Sequence, residues 1–260
     1  VKAALVSCVL EEVVVKESAG WGILSAGALQ VICGGGWDML EHVGSQDVIP
    51  FTGSASTGLM LKSGKNVLQQ NTPFTMEADS LNCIVLGDDV TPAMPEWDIF
   101  IKEVRKEMTT KCGQKCTAIR RIFVPADKME EVQMALGKAL SQTTIGNPQN
   151  EKVRMGCLAG ELQRKEVKEQ VQKLLASSQI IYGSLDSVEV IDADAVKGAF
   201  MSPILLLNRH PLSSKEVHEV EAFGPVSTLM PYTSMEEAIT LAQMGKGSLV
   251  STLVTADKKL

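Results

Sequence analysis

Cys116 sits between a Gly-Gln pair and a strand-like segment, in the run Lys-Cys-Gly-Gln-Lys-Cys-Thr-Ala-Ile-Arg-Arg over Lys111–Arg121. A glycine at this place lets the backbone turn tightly and present the following side chains and amides to a bound molecule. A cysteine held that way is a candidate nucleophile, because its thiolate attacks strongly at neutral pH. The other use of the same residue is as a small buried hydrophobe, the fate of most free cysteines. Cys112, four residues earlier, reads as packing rather than as a resolving thiol. Glu77 closes the apolar run Phe74-Thr75-Met76. At a partly desolvated strand edge its carboxyl would titrate high and serve as a base; a solvated strand-end acid is the plainer alternative. The segment Phe51-Thr52-Gly53-Ser54-Ala55-Ser56-Thr57-Gly58 joins a strand to a helix start made of small residues. Amides and the positive dipole end of such a helix suit a phosphate, with Gly53 and Ser54 nearest to it. A plain Ser-capped helix accounts for the same residues. The segment is neither the three-glycine dinucleotide fingerprint nor a P-loop. In Glu221-Ala222-Phe223-Gly224-Pro225-Val226 an acid and an aromatic lie two apart, a shape that clamps a ring and a ribose, although Gly-Pro makes a turn by itself.

These residues need a frame to hold them. Apolar runs predict strands over Ala28–Cys33, Asp47–Thr52, Phe74–Glu77, Cys83–Leu86, Ile119–Val124, Ile180–Tyr182, Ile204–Leu207 and Val226–Met230. Helical spacing predicts helices over 2–17, 38–43, 56–67, 97–110, 128–140, 162–176 and 235–242, with Pro92–Pro95 as a helix entry. Strand, glycine-containing turn and helix alternate, the unit from which parallel sheets are built. The fold class is therefore α/β, with a division expected near 78–95, where a loop rich in Pro and acidic residues follows two strands.

Bulk properties exclude some functions. The formal charge of −6 argues against general nucleic-acid binding. No apolar stretch reaches the roughly 18 residues that span a bilayer. Val1–Val15 is apolar, but Glu11 and Glu12 interrupt it and no small-residue cleavage site follows, so a signal peptide is not expected. Six scattered cysteines without framework spacing fit a reducing cytoplasm. His42, His210 and His218 are isolated in sequence, and no metal site is expected. The chain starts at Val1 rather than Met, so a piece of a longer protein is expected.

Taken in order, the Phe-Thr-Gly-Ser turn, the strand-end Glu77, Gly-Gln-x-Cys and Glu-x-Phe-Gly-Pro-Val resemble the aldehyde dehydrogenase superfamily, over nearly the whole chain. The runs Phe74–Asn82 and Glu107–Arg121 are similar in more detail to the dehydrogenase half of the bifunctional ring-opening enzymes of phenylacetate degradation, in which a hydratase of the hot-dog type is fused to it. The resemblance implies a Rossmann-type cofactor domain over 1–80 and an α/β catalytic domain over 81–260, both incomplete. It implies that Cys116 attacks an aldehyde, Glu77 activates the hydrolytic water, and the Cys116 amide holds the oxyanion. It further implies that Gly53 and Ser54 face the phosphates of NADP or NAD, that Glu221 binds the nicotinamide ribose, and that Phe223 packs beside the ring. The implied substrate is a semialdehyde carrying a coenzyme A thioester, with no nucleic acid or membrane partner, and the full-length protein is expected to be a cytoplasmic homo-oligomer. The family's upstream oxyanion Asn and ribose-binding Lys would precede Val1. Ala78-Asp79-Ser80-Leu81 departs from the family's usual Leu-Gly-Gly-Lys after the glutamate. The alternative is a non-catalytic fragment or structural relative that keeps the fold.

Overall fold

The structure, a computed structural model, describes residues 30, 32, 37–257 and 259. The helix expected over 2–17 lies outside the described residues, as does most of the strand expected over 28–33. The chain divides into two units between Ala78 and Asp79.

In the first unit, a short 3-10 turn, Trp37–Glu41, precedes β1 (Ile49–Gly53), α1 (Ala55–Lys62), α2 (Lys65–Gln69) and β2 (Phe74–Ala78). β1 and β2 pair in parallel, with Ile49 opposite Phe74 and Gly53 opposite Ala78, so α1 and α2 form the crossover between them. α1 lies close on this pair because Gly58 has no side chain: a Cβ there would collide with Met76 Sδ and crowd the Phe51 ring. One helix over 56–67 was expected, yet the chain breaks at Ser63-Gly64. Ser63 Oγ donates to the carbonyls of Leu59 at 2.8 Å and Met60 at 3.1 Å, closing the first helix. Gly64 then adopts an extended conformation and starts the second.

The second unit runs β3 (Cys83–Leu86), α3 (Pro95–Thr109), β4 (Arg121–Pro125), α4 (Met129–Ser141), α5 (Glu161–Leu174), β5 (Gln179–Tyr182), β6 (Ile204–Leu207), β7 (Val226–Tyr232), α6 (Met235–Gln243) and β8 (Ser251–Val254). Its six strands stand in the order β5-β6-β7-β4-β3-β8. All neighbours are parallel except β5, which is antiparallel to β6. Alternate residues face opposite sides. Cys83, Val85, Phe123, Ile204 and Leu206 pack with Val167 and Val171 of α5 and Ala238 and Leu241 of α6. Ile84, Leu86, Ile122, Val124, Leu205 and Leu207 pack with Phe100, Val104 and Met108 of α3 and Val132 and Leu136 of α4. Each face is thus covered by helices, which is why β3 and β6 read as uninterrupted apolar runs. Among the described residues no helix is long and apolar enough to cross a membrane.

The parallel register brings the segments before β3, β4 and β7 to one end of the sheet. Arg121 stitches that end to α6. Its guanidinium is buried and donates to the carbonyls of Leu81 (2.7 Å), Leu241 (2.7 Å) and Ala242 (3.1 Å), the last two at the negative end of the α6 dipole. It also donates to His218 Nδ1 at 3.0 Å, leaving His218 Nε2 to donate to the Pro211 carbonyl at 3.0 Å. Burial, and secondly the Arg121 charge, hold the His218 pKa below its ordinary value, against the opposing Pro211 carbonyl and Glu219. The sign follows directly. Below about pH 6.5 the unfolded chain binds a proton that the folded chain resists, so this contribution is full above that pH and is lost as pH falls. Denaturant midpoints taken from about pH 7.5 down to about pH 5.5 should fall, and His218→Gln, which can accept from Arg121 and donate to Pro211, should flatten that slope by no more than one proton. His42 and His210 are exposed, so their replacement serves as the control. An unchanged slope in His218→Gln would show that this imidazole is not the titrating group.

Candidate active site

The loop that carries Cys116 begins where α3 stops. Lys111 (φ 53°, ψ 28°), Cys112 (φ 55°, ψ 40°) and Gly113 (φ 68°) are three successive left-handed residues. For Lys111 and Cys112 this conformation costs on the order of 1–3 kcal/mol each, a cost that persists only where the surroundings impose it. At Gly113 no other residue fits, since a Cβ would collide with the Gly224 carbonyl.

Partners on several sides impose it. Gln114 Nε2 donates to the Lys111 carbonyl at 2.8 Å, and Gln114 Oε1 accepts from the Ala159 amide at 2.8 Å. Lys115 Nζ reaches both carboxylate oxygens of Glu107 on α3, each at 2.7 Å. Asn82, at the entrance to β3, donates from Nδ2 to the carbonyls of Cys116 (2.8 Å) and Ala118 (2.9 Å). Its Oδ1 accepts from Ser80 Oγ (2.6 Å) and the Val250 amide (2.9 Å), so its own orientation is fixed.

The result separates the two cysteines. Cys116 is exposed and Cys112 is buried. Burial, with a smaller contribution from Cys157, pushes the Cys112 thiol up to about 12, so it stays protonated at neutral pH. Cys112 packs in the core, the reading preferred for it over a resolving thiol.

Glu221 and Phe223 come to the same end of the sheet, in the segment before β7. Glu221 Oε1 pairs with Arg120 Nε at 3.2 Å, and Oε2 accepts the Ser80 amide at 3.0 Å. Burial raises the Glu221 carboxyl above its usual range, and the Arg120 charge opposes that shift. Phe223 is half-buried, its ring centroid 5.4 Å from the Arg120 guanidinium carbon. Glu221, which the resemblance places at a nicotinamide ribose, is held here by two protein donors.

Gly53, Ser54 and Glu77 belong to the first unit and gather at one end of its strand pair. Thr52 faces Glu77 in register and Gly53 faces Ala78, so the Gly-Ser turn and the acid are one step apart along the sheet. Ser54 is the N-cap of α1, and its Oγ accepts the Thr57 amide at 3.3 Å. Glu77 is exposed, the plainer of the two readings of its place: β2 pairs only with β1 among the described residues, and its central positions face solvent.

Arg120 and Asn82 are the site residues the sequence did not single out. Their signal was faint: a polar side chain directly before an apolar strand, in a place where burial demands a partner.

A sequence profile of the aldehyde dehydrogenase family matches residues 2–260. A 3,4-dehydroadipyl-CoA semialdehyde dehydrogenase from Aromatoleum evansii is 41% identical over 236 residues, covering 91% of this chain and 46% of that protein. Protein MaoC from Klebsiella aerogenes is 44% identical over 108 residues, 41% of this chain and 30% of its own length. Among solved structures, an aldehyde dehydrogenase from Bartonella henselae superposes with a TM-score of 0.80 at 20% identity, over 98% of this chain and 50% of that one. Aldehyde dehydrogenase C from Pseudomonas syringae, an alanine mutant solved with NAD+ and octanal, gives 0.73 at 22% identity over 86% and 44%. The chain therefore spans about half the length of the relatives that it covers most fully.

Proposed function

Because the chain belongs to the aldehyde dehydrogenase family, we propose that it carries the nucleophile of an NAD(P)-dependent enzyme that oxidises an aldehyde to a carboxylic acid. The observation that carries the reading is an exposed thiol at Cys116, just past the left-handed Lys111–Gly113 turn, in a loop clamped by Gln114, Lys115 and Asn82. Such a loop keeps its sulfur in place without burying it.

On this reading the Cys116 thiolate attacks the carbonyl carbon, and the carbonyl electron pair moves to oxygen as an oxyanion facing the Cys116 amide. The strand–helix junction suits a dinucleotide's phosphates: the close approach at Gly58 seats the start of α1 against the strand pair, beside Gly53 and Ser54. Glu221 would meet the nicotinamide ribose and Phe223 would flank the ring. A carboxylate has about four acceptor sites, so Glu221 can accept a hydroxyl while Arg120 and Ser80 hold it. NADP or NAD held by such residues would supply the hydride acceptor for oxidation of the Cys116 thiohemiacetal to a thioester. Glu77 then takes a proton from water, whose oxygen attacks the thioester and releases the thiolate.

The substrate we propose is a coenzyme A-linked semialdehyde of phenylacetate degradation. It rests on the resemblance to the ring-opening enzymes and on the name of the Aromatoleum relative. That resemblance also favours NADP and a homo-oligomer as the working form, and the scattered cysteines favour the cytoplasm.

Differential alkylation of the full-length protein tests the reading. Cys116 and Cys157 are both exposed, whereas Cys83 and Cys112 are buried. An activated Cys116 should take iodoacetamide at least about tenfold faster than Cys157, and NADP should change the rate at Cys116 alone. Equal, slow labelling at 116 and 157 would favour the non-catalytic relative.

A further inference from the structure

We propose that Arg120 is a positioning residue for the oxyanion, acting through the backbone of the nucleophile loop; the inference rests on Cys116 being the nucleophile. Arg120 is only 5% exposed and sits at the entrance to β4, four residues after Cys116. Its guanidinium reaches two loops at once. Nη2 donates to the Gly113 carbonyl at 2.8 Å and lies 3.4 Å from the Lys115 carbonyl, while Nη1 donates to the Gly224 carbonyl at 2.7 Å. Nε pairs with Glu221, and the plane carries the Phe223 ring.

The consequence comes from the geometry of a peptide. The Lys115 carbonyl and the Cys116 N–H belong to one planar unit and, in a trans peptide, point in opposite directions. Drawing that carbonyl toward a buried cation turns the Cys116 amide away from Arg120. Asn82 fixes the next unit in the same manner, by holding the Cys116 carbonyl. Together with the Ala118 amide, which donates to the same Lys115 carbonyl at 3.1 Å, the two side chains set the direction of the one backbone donor that the proposed chemistry uses. A planar fork with five donors meets these carbonyls and a carboxylate together; a lysine cannot. The same fork ties the amide's direction to the Glu221–Pro225 segment, so the nucleophile loop and the proposed ribose contact share one anchor.

The test compares two reactions of the same sulfur in the full-length protein, neither of which needs nicotinamide. Acylation by p-nitrophenyl acetate passes through an oxyanion; alkylation by iodoacetamide does not. Arg120→Lys, which keeps a charge opposite Glu221, should slow acylation of Cys116 by about 10- to 100-fold, on the scale of a misdirected oxyanion donor. Alkylation should change by less than about twofold. Arg120→Met paired with Glu221→Gln removes the buried charges together and should give the same split, which keeps the test alive if the lysine variant folds poorly. Equal loss in both reactions would show that Arg120 only supports the loop's fold, and an unchanged acylation rate would show that it does not orient the amide; either overturns the proposal. If the parent protein is acylated no faster than Cys116→Ala, the nucleophile assignment fails, and that outcome is distinct from the other two.

Discussion

Replacing Cys116 by alanine is expected to cut aldehyde oxidation in the full-length protein by at least about 10⁴-fold, the scale on which losing a covalent nucleophile costs other enzymes. Stability should stay within about 0.5 kcal/mol of the parent, because the side chain is exposed and no packing is lost. The loop should keep its shape as well: Asn82 grips backbone carbonyls at 116 and 118, and Gln114 and Lys115 are held by Ala159 and Glu107, so no clamp depends on the sulfur. Steady-state turnover and a denaturation curve on the same sample check both halves. Cys112 is the internal comparison. It lies four residues away, yet burial keeps its thiol protonated at neutral pH, so it cannot stand in for the missing nucleophile. Turnover within tenfold of the parent in Cys116→Ala would remove residue 116 from the chemistry.

The sequence showed the position of that thiol more clearly than the parts that hold it. Gly113-Gln114 announced a tight turn before Cys116, and the turn is there, with Gly113 at a positive φ that only glycine fills comfortably. The clamps were not legible, because they depend on long-range register. Arg120 meets Gly224 and Glu221 only once β4 pairs with β7, and Asn82 meets the Cys116 carbonyl only once β3 pairs with β4. No local pattern carries the strand order β5-β6-β7-β4-β3-β8.

The strands divide in the same way. Cys83–Leu86 and Ile204–Leu207 were readable residue for residue, because both faces are buried and demand unbroken apolar runs. β8, Ser251–Val254, was not: three of its four residues are exposed and it opens on Ser-Thr, so its strand character comes from pairing with β3. The Ser63 break in the crossover needed a side-chain hydroxyl to find a carbonyl four residues back, a choice that helical periodicity alone does not reveal.

Glu77 is where the chemistry can be split into its halves. If it activates the deacylating water, Glu77→Gln should leave thiol attack and oxidation intact and slow thioester hydrolysis by about 10²- to 10⁴-fold, the usual contribution of a positioned base. The expected trace is a burst of one reduced nicotinamide per active site, followed by almost no steady rate. The substitution keeps the side chain's size and removes only its charge. Glu77 is exposed on β2, where its backbone pairs with Thr52, so the strand should not notice. If Glu77 works chiefly by holding a water at the thioester, its reach matters as much as its charge. A positioning role predicts that Glu77→Asp, one methylene shorter, loses most of the hydrolysis rate while keeping the burst. A Glu77→Gln variant with an undiminished steady rate would take Glu77 out of the reaction. One lacking the burst would place it in the acylation step instead.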